Sequence, residues 1–330
     1  MKKRILTGIT TTGTPHIGNY LGAIKPALYL AKDFDESFYF LADYHAIIKN
    51  SNSQEVDDSV KNVALSWLAA GLDTSRSYFY RQSDVPEIME LSWILSCVTA
   101  KGLMNRSHAY KAATAFNDNE EDKGITMGLF SYPILMAADI LMFNATHVPV
   151  GSDQMQHIEM TRDIAGRFNH IYKNTFEIPE AIIQSNKEVV PGVDGRKMSK
   201  SYGNIIPFLS TEKVLKKSIA KIVTNSLEPG QPKDHSDCTV HSLFSYFANE
   251  DQINELTKDY KDGISWGDAK NKLFEIVNNE IKPIREKYET FSQDSDLIND
   301  LLSDGASKVK VIAKEKIESI RDSVGIKKIS

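Results

Sequence analysis

The sequence predicts an α/β fold, a doubly wound parallel sheet, followed by a C-terminal all-helical domain. Three observations predict it. Short β-rich runs alternate with amphipathic helical patterns through the first half. A loop-rich stretch over 186–204 follows, with Pro191, Gly192, Gly195 and Gly203. From Thr211 onward the helical pattern continues and no strand pattern returns. A length of 330 residues suits two domains at roughly 100–200 residues each. The spans expected are 1–204 for the α/β domain and 205–330 for the helical one.

Arg4 to Ile9 reads as the first strand and runs into the loop TTTGTPH. Ile17, Tyr20, Leu21, Ile24, Ala27, Leu28 and Ala31 then follow helical spacing. Ser37 to Ala42 is a second strand. Val56, Val60, Val63, Ala64, Trp67 and Leu68 mark a helix that stops near Gly71. Ser77 to Tyr80 is a third strand, and Pro86 opens a helix through Val98. Residues 102–125 are polar and break the alternation, which predicts a mobile helix-loop insertion. A helix around Ile134–Phe143, a strand over His147–Val150 and a helix from Asp153 to about His170 restore it. Such alternation implies right-handed crossovers and ligands at the carboxyl ends of the strands.

Composition removes several function classes. Lys and Arg total 39 against 44 Asp and Glu, a net charge of -5, so a generally basic nucleic-acid coat is excluded and RNA contact requires a local basic patch. Hydrophobic residues at 41% exclude a disordered chain. Cys97 and Cys238 alone make neither a disulfide framework nor a four-ligand zinc site, which suits a reducing cytoplasm. The apolar start is too short and too rich in Thr and Gly for a secretory signal. The longest apolar segment, Met127 to Ala145, is interrupted by Tyr132-Pro133 and Asp139, so no membrane span is expected. His108, His147, His157 and His170 lack metal-ligand spacing, and no metal site is expected.

Two segments carry chemistry on their own residues. In GITTTGTPHIGN, Gly8 to Asn19, a strand enters a loop and then a helix N-terminus, which aims backbone N–H groups at an anion. Gly8 and Gly18 lack side chains where a ligand approaches the backbone, and His16 and Asn19 can donate to phosphate oxygens. Neither a Walker loop nor G-x-G-x-x-G fits; a plain strand–helix turn with a surface histidine is the competing reading. In GRKMSKS, Gly195 to Ser201, Lys197 and Lys200 bracket Met198-Ser199. Two ammonium groups on a loop suit a polyphosphate whose leaving oxygen gains charge. A solvated basic turn is the alternative.

Together, P-H-I-G-N after the first strand and KMSKS after the last resemble the two signatures of class I aminoacyl-tRNA synthetases, which have a Rossmann-like catalytic domain. Asn19 stands where the family's first signature ends in a second His. The segment Ser131 to Asn169 is similar to tryptophanyl-tRNA synthetases of the bacterial type. That resemblance implies Asp139 as acceptor of the indole N–H, since the indole nitrogen only donates. It further implies a tryptophan pocket of Leu6, Gly8, His45, Tyr132, Met136, Ile140, Val148, Val150 and Gln154. For Met136 and Ile140, core packing at i and i+4 is an equal reading.

The ATP site implied comprises Thr10, Thr11, Thr12, Gly18, Asn19, Gly151, Asp153, Lys197, Met198, Ser199 and Lys200. His16, Asn19, Lys111, Lys197 and Lys200 are the implied catalytic set. Thr10, Tyr44, Ala113 and Ser152 depart from residues common in the family. The same resemblance implies Mg²⁺ with ATP, L-tryptophan and tRNA(Trp) as substrates, a homodimer, a cytoplasmic location and anticodon reading by the helical half. The segment Ser307 to Ser330 holds seven Lys/Arg, namely Lys308, Lys310, Lys314, Lys316, Arg321, Lys327 and Lys328, against three acids. That is either a tRNA-facing strip or a packing helix with a solvated face. A tyrosyl-tRNA synthetase, a small-metabolite nucleotidyltransferase and a non-catalytic RNA-binding paralogue are the rival functions.

Overall fold

The computed structural model describes residues 2–115, 117, 122–183 and 189–326. Its centre is a parallel five-stranded sheet: β1 (Arg4–Thr10), β2 (Glu36–Ala42), β3 (Ser77–Arg81), β4 (His147–Val150) and β5 (Glu180–Ile183). The strand order is β3-β2-β1-β4-β5. β1 pairs with β2 from Arg4↔Glu36 to Thr10↔Ala42. The chain works outward from β1 to β3, then crosses back to place β4 on the other side of β1. The order reverses between β1 and β4, which opens a crevice at their carboxyl ends.

Side-chain alternation along the strands divides the core into two. Ile9, Tyr39, Leu41 and Phe79 face one side of the sheet, and Leu6, Phe38, Phe40 and Tyr80 the other. The first side is continuous with the helical half, through Phe208, Leu215, Tyr260 and Leu273. The second side receives the last helix, Ser295–Val324, through Ala306, Val309, Ala313, Ile317 and Ile320. That helix also passes Phe79 of the edge strand β3, with Gly305 at the point of closest approach. The boundary at residue 204 therefore does not separate two cores. Part of the strip of Lys and Arg on this last helix belongs to packing: Lys316 donates to Asn144 Oδ1 and to the Thr175 carbonyl, both at 2.7 Å, while Lys308 and Lys314 are exposed. Lys327 and Lys328 lie outside the described residues.

Two elements differ from the sequence expectation. β5 went unread because it is a four-residue, partly exposed edge strand with no alternation. The helix expected from Ile17 to Ala31 is interrupted by a π turn over Tyr20–Ile24, directly behind the PHIGN segment. Such widened turns occur often at functional sites. The polar insertion forms two short helices, Lys101–Met104 and His108–Thr114. Among the described residues, no helix is long and apolar enough to cross a membrane.

Candidate active site

The two signature segments meet at the carboxyl end of β1. The Gly18 amide donates to Met198 Sδ at 3.3 Å, across 180 residues of sequence. Ile17 N donates to the Ile206 carbonyl at 2.9 Å. Lys200 Nζ reaches the Thr12 carbonyl at 2.5 Å. Asn204, buried behind the KMSKS turn, accepts from Ser199 N at 2.8 Å and donates to Asp194 at 2.7 Å, which fixes the turn's path. Lys197 is exposed on its rim.

His16 caps the start of the helix, and Asn19 Oδ1 accepts from its backbone N–H at 3.0 Å. Burial, helped by the charge of Lys200, pulls the His16 pKa down to about 4. The ring is therefore neutral at pH 7. It can donate one hydrogen bond to an anion, but it brings no charge. Positive charge at this end comes from the two lysines.

From this end a cavity of about 310 Å³ extends into the molecule between β1, β4 and the helix Met127–Met142. Leu6, Gly8 and Thr10 line it from alternate positions of β1, and Val148 and Val150 from β4. Gly8 is required where it is, since a Cβ there would lie 2.8 Å from the Phe40 ring. Tyr132, Met136, Asp139 and Ile140 form one face of the helix, at helical spacing. His45 and Gln154 complete the pocket residues named from the sequence, so all ten line one wall or another.

At the base is Asp139, 1% exposed. His45 Nε2 lies 3.0 Å from its Oδ2. Gln82 Nε2 donates to Oδ1 at 2.8 Å and to Oδ2 at 3.0 Å. Burial raises the Asp139 pKa, while His45 and Gln82 oppose the shift. The Tyr132 hydroxyl bonds His157 Nε2 at 2.8 Å, which fixes its ring in the wall.

The nucleotide residues named from the sequence divide. Thr10 and Thr12 line the cavity, but Thr11 between them is buried away from it, as strand alternation requires. The Gly18 N–H is engaged by Met198 and is not free for an anion. Met198 itself is buried as the plug between the signatures. The Ser199 hydroxyl accepts from Ser201 N at 3.3 Å, within its own turn. Gly151 is exposed at the end of β4, and the side chain of Asp153 lies outside the described residues. Lys111 is exposed on the short helix whose Ala109 lines the cavity, but it is not itself in the wall.

Gln82, Lys49 and the wall role of His157 went unread. Lys49 and His157 line the cavity directly. Gln82 had a usable signal, because a polar residue immediately after a parallel strand lies at the carboxyl edge where ligands bind. Among the described residues, no group of three or more His, Cys, Asp or Glu could hold a metal ion.

The family model described as class I tRNA synthetases (W and Y) matches residues 1–282. The tryptophan–tRNA ligase of Neisseria meningitidis is 52% identical, over 99% of this chain and 98% of its own length. That of Pseudomonas aeruginosa is 51% identical over 100% of this chain and 75% of its own length. Among solved structures, the tryptophanyl-tRNA synthetase of Campylobacter jejuni complexed with ADP and tryptophan superposes with a TM-score of 0.88 at 42% identity, covering 98% of this chain and 99% of that one. Signature turns in contact, a cavity that reaches from Thr10 and Thr12 beside them to a buried carboxylate, and these likenesses lead to one conclusion: the chain belongs to the class I tRNA synthetases, in the tryptophanyl-tRNA synthetase family.

Proposed function

We propose that the protein activates L-tryptophan with ATP and transfers it to tRNA(Trp), with the substrates laid along the cavity from Asp139 to the signature turns. The observation that carries this reading is Asp139, the one carboxylate among the described residues that line the cavity, with Met136, Ile140, Val148 and Val150 in the same lining. Its oxygens keep acceptor lone pairs beyond the bonds from Gln82 and the contact with His45, and an indole N–H supplies a further donor to them. Tyr132, Met136, Ile140, Val148 and Val150 would pack on the ring. His45 and Gln154 would face the amino-acid end.

In the first step the tryptophan carboxylate attacks the α-phosphate and pyrophosphate leaves. No protein nucleophile is required; alignment and charge stabilisation suffice. His16, as a neutral donor, and Asn19, through its amide hydrogens, would hold the phosphates. Lys197 and Lys200 would meet the charge that grows on pyrophosphate, with Lys111 approaching from the insertion. Thr10, Thr12, Gly151 and Asp153 would bound the nucleoside. Mg²⁺ enters with ATP as part of the substrate. No group of carboxylates or histidines able to hold a metal gathers among the described residues, and Asp139 is already engaged, so phosphate oxygens would hold the ion. In the second step the 2′-hydroxyl of the tRNA terminal adenosine attacks the carbonyl carbon of tryptophanyl-adenylate; the acyl–phosphate bond breaks, AMP leaves and the hydroxyl proton is released.

The helical half would read the anticodon. A second copy would cover Met89 and Trp93, which are 41% and 71% exposed one turn apart on the helix Glu87–Val98. Trp93→Glu should then sediment as a monomer. A cytoplasmic site of action follows from the substrates. ATP–pyrophosphate exchange with tryptophan, tyrosine and phenylalanine in turn tests the assignment. Exchange with tryptophan alone is expected, and exchange driven by tyrosine would overturn it.

A further inference from the structure

Gln82 is not among the residues that line the cavity, is 0% exposed, and meets the site through its side-chain hydrogen bonds to Asp139. It follows β3 directly and brings a primary amide into the core. Nε2 donates to both carboxylate oxygens, at 2.8 and 3.0 Å, while His45 meets Oδ2 from the side of the cavity. The other half of the amide, Oε1, is buried and has no hydrogen-bond partner among the described residues. An unsatisfied buried amide oxygen is unfavourable, and an apolar residue of the same size would fill the space without it. What the amide supplies in place of such a residue is the pair of bonds to Asp139.

The chemistry at Asp139 explains what those bonds achieve. A carboxyl group surrounded by apolar side chains tends to take up a proton. A protonated carboxyl presents an O–H, which competes with an indole N–H for the same role. A donor fixed against both oxygens suits only the ionised group and leaves acceptor lone pairs for the ligand. We propose that Gln82 is a positioning residue for amino-acid choice: its amide holds the Asp139 carboxylate as an acceptor aimed at the indole N–H. This rests on the reading of Asp139 as the indole acceptor.

The test compares two ligands that differ at one group. L-Tryptophan is assayed by ATP–pyrophosphate exchange, and L-β-(3-benzothienyl)alanine, in which sulfur replaces the N–H, is assayed as its competitor. The full-length protein carries Gln82→Met or the isosteric Gln82→Glu. In both variants the KM for tryptophan should rise about tenfold or more, the loss expected for a charge-assisted hydrogen bond. The inhibition constant of the sulfur analogue should stay within about twofold. If Gln82→Met fails to fold, Gln82→Glu carries the same comparison. Equal weakening of both ligands would make Gln82 merely structural and overturn the inference, as would no weakening of either. Asp139→Asn is run alongside. If it leaves the KM for tryptophan unchanged, the reading of Asp139 itself falls. If it raises that KM while the Gln82 variants behave as wild type, only the role of Gln82 falls.

Discussion

The α-carbon of Gly305 faces the carbonyl of Phe79 so closely that a side-chain carbon on Gly305 would overlap that oxygen. Phe79 is on β3, an edge strand, and the last helix covers that edge. A glycine inside a helix ordinarily weakens it by about 1 kcal/mol relative to alanine. Here the close approach requires one. Gly305→Ala should therefore destabilise the protein, by about 1–3 kcal/mol or a few degrees in Tm, although it improves helix propensity. Thermal unfolding followed by circular dichroism measures this. A Tm equal to or above wild type would show that the helix does not press on the strand.

Much of this was legible in the residues. Four of the strands followed from short β-rich runs, since a parallel strand between two helical layers is buried on both faces, and most helices followed from 3.6-residue spacing, since each buries one face. β5 was not legible, because a short edge strand buries little and so carries little pattern. The pocket residues were legible through a resemblance, and their spacing on β1, β4 and the helix Met127–Met142 then placed them on common faces. Gln82 and the return of the last helix to the sheet were not. Both depend on contacts across long sequence separations, 57 residues for Gln82 with Asp139 and 231 for Arg321 with Glu90. Local periodicity holds no information about such pairs.

His16 gives the fold a dependence on acid. Its pKa falls from 6.5 to about 4 on folding, chiefly through burial. Between those values the unfolded chain binds a proton that the folded protein refuses. Stability from this group is thus complete above pH 6.5 and is lost as pH falls toward 4, by up to about 3 kcal/mol. His16→Gln should lose less stability than wild type between pH 7 and pH 4.5 in urea unfolding. Parallel losses in the two proteins would mean that the ring is charged in the folded state.

Lys200 directs its ammonium group at the Thr12 carbonyl. Burial lowers its pKa, so its charge is held in a partly desolvated place. A cation so placed acts most strongly where new charge appears, on departing pyrophosphate. Lys200→Ala should slow adenylate formation by about 10²–10³ in single-turnover rapid quench. The KM for ATP should move much less. A large rise in that KM with an unchanged single-turnover rate would assign Lys200 to ground-state binding instead.

The cations of the last helix fall into two sets that should behave differently. Arg321 makes a bidentate pair with Glu90, and Lys316 is half-buried against Asn144, Thr175 and the Phe176 ring, with desolvation pulling its pKa down to about 8. These side chains dock the helix on the sheet. Lys308 pairs with Asp304, one turn earlier on its own helix, and Lys314 is exposed. Lys316→Met with Arg321→Ala should lower Tm by several degrees, and both exchange and tRNA charging should fall together, because β3 and the helix Glu87–Val98 lose their cover. Lys308→Ala with Lys314→Ala should leave Tm and exchange at wild-type values, since an exposed intrahelical pair is worth about 0.3–0.5 kcal/mol. If this outer face meets tRNA phosphates, that second double variant should charge tRNA less well. Its charging should also depend less steeply on salt, by roughly 0.7–0.9 in the log–log slope for each phosphate that is no longer neutralised. Charging measured at two salt concentrations, beside Tm and exchange, separates the sets. A fall in Tm for the exposed pair, or an unchanged salt slope, would leave the whole strip to packing and solvation.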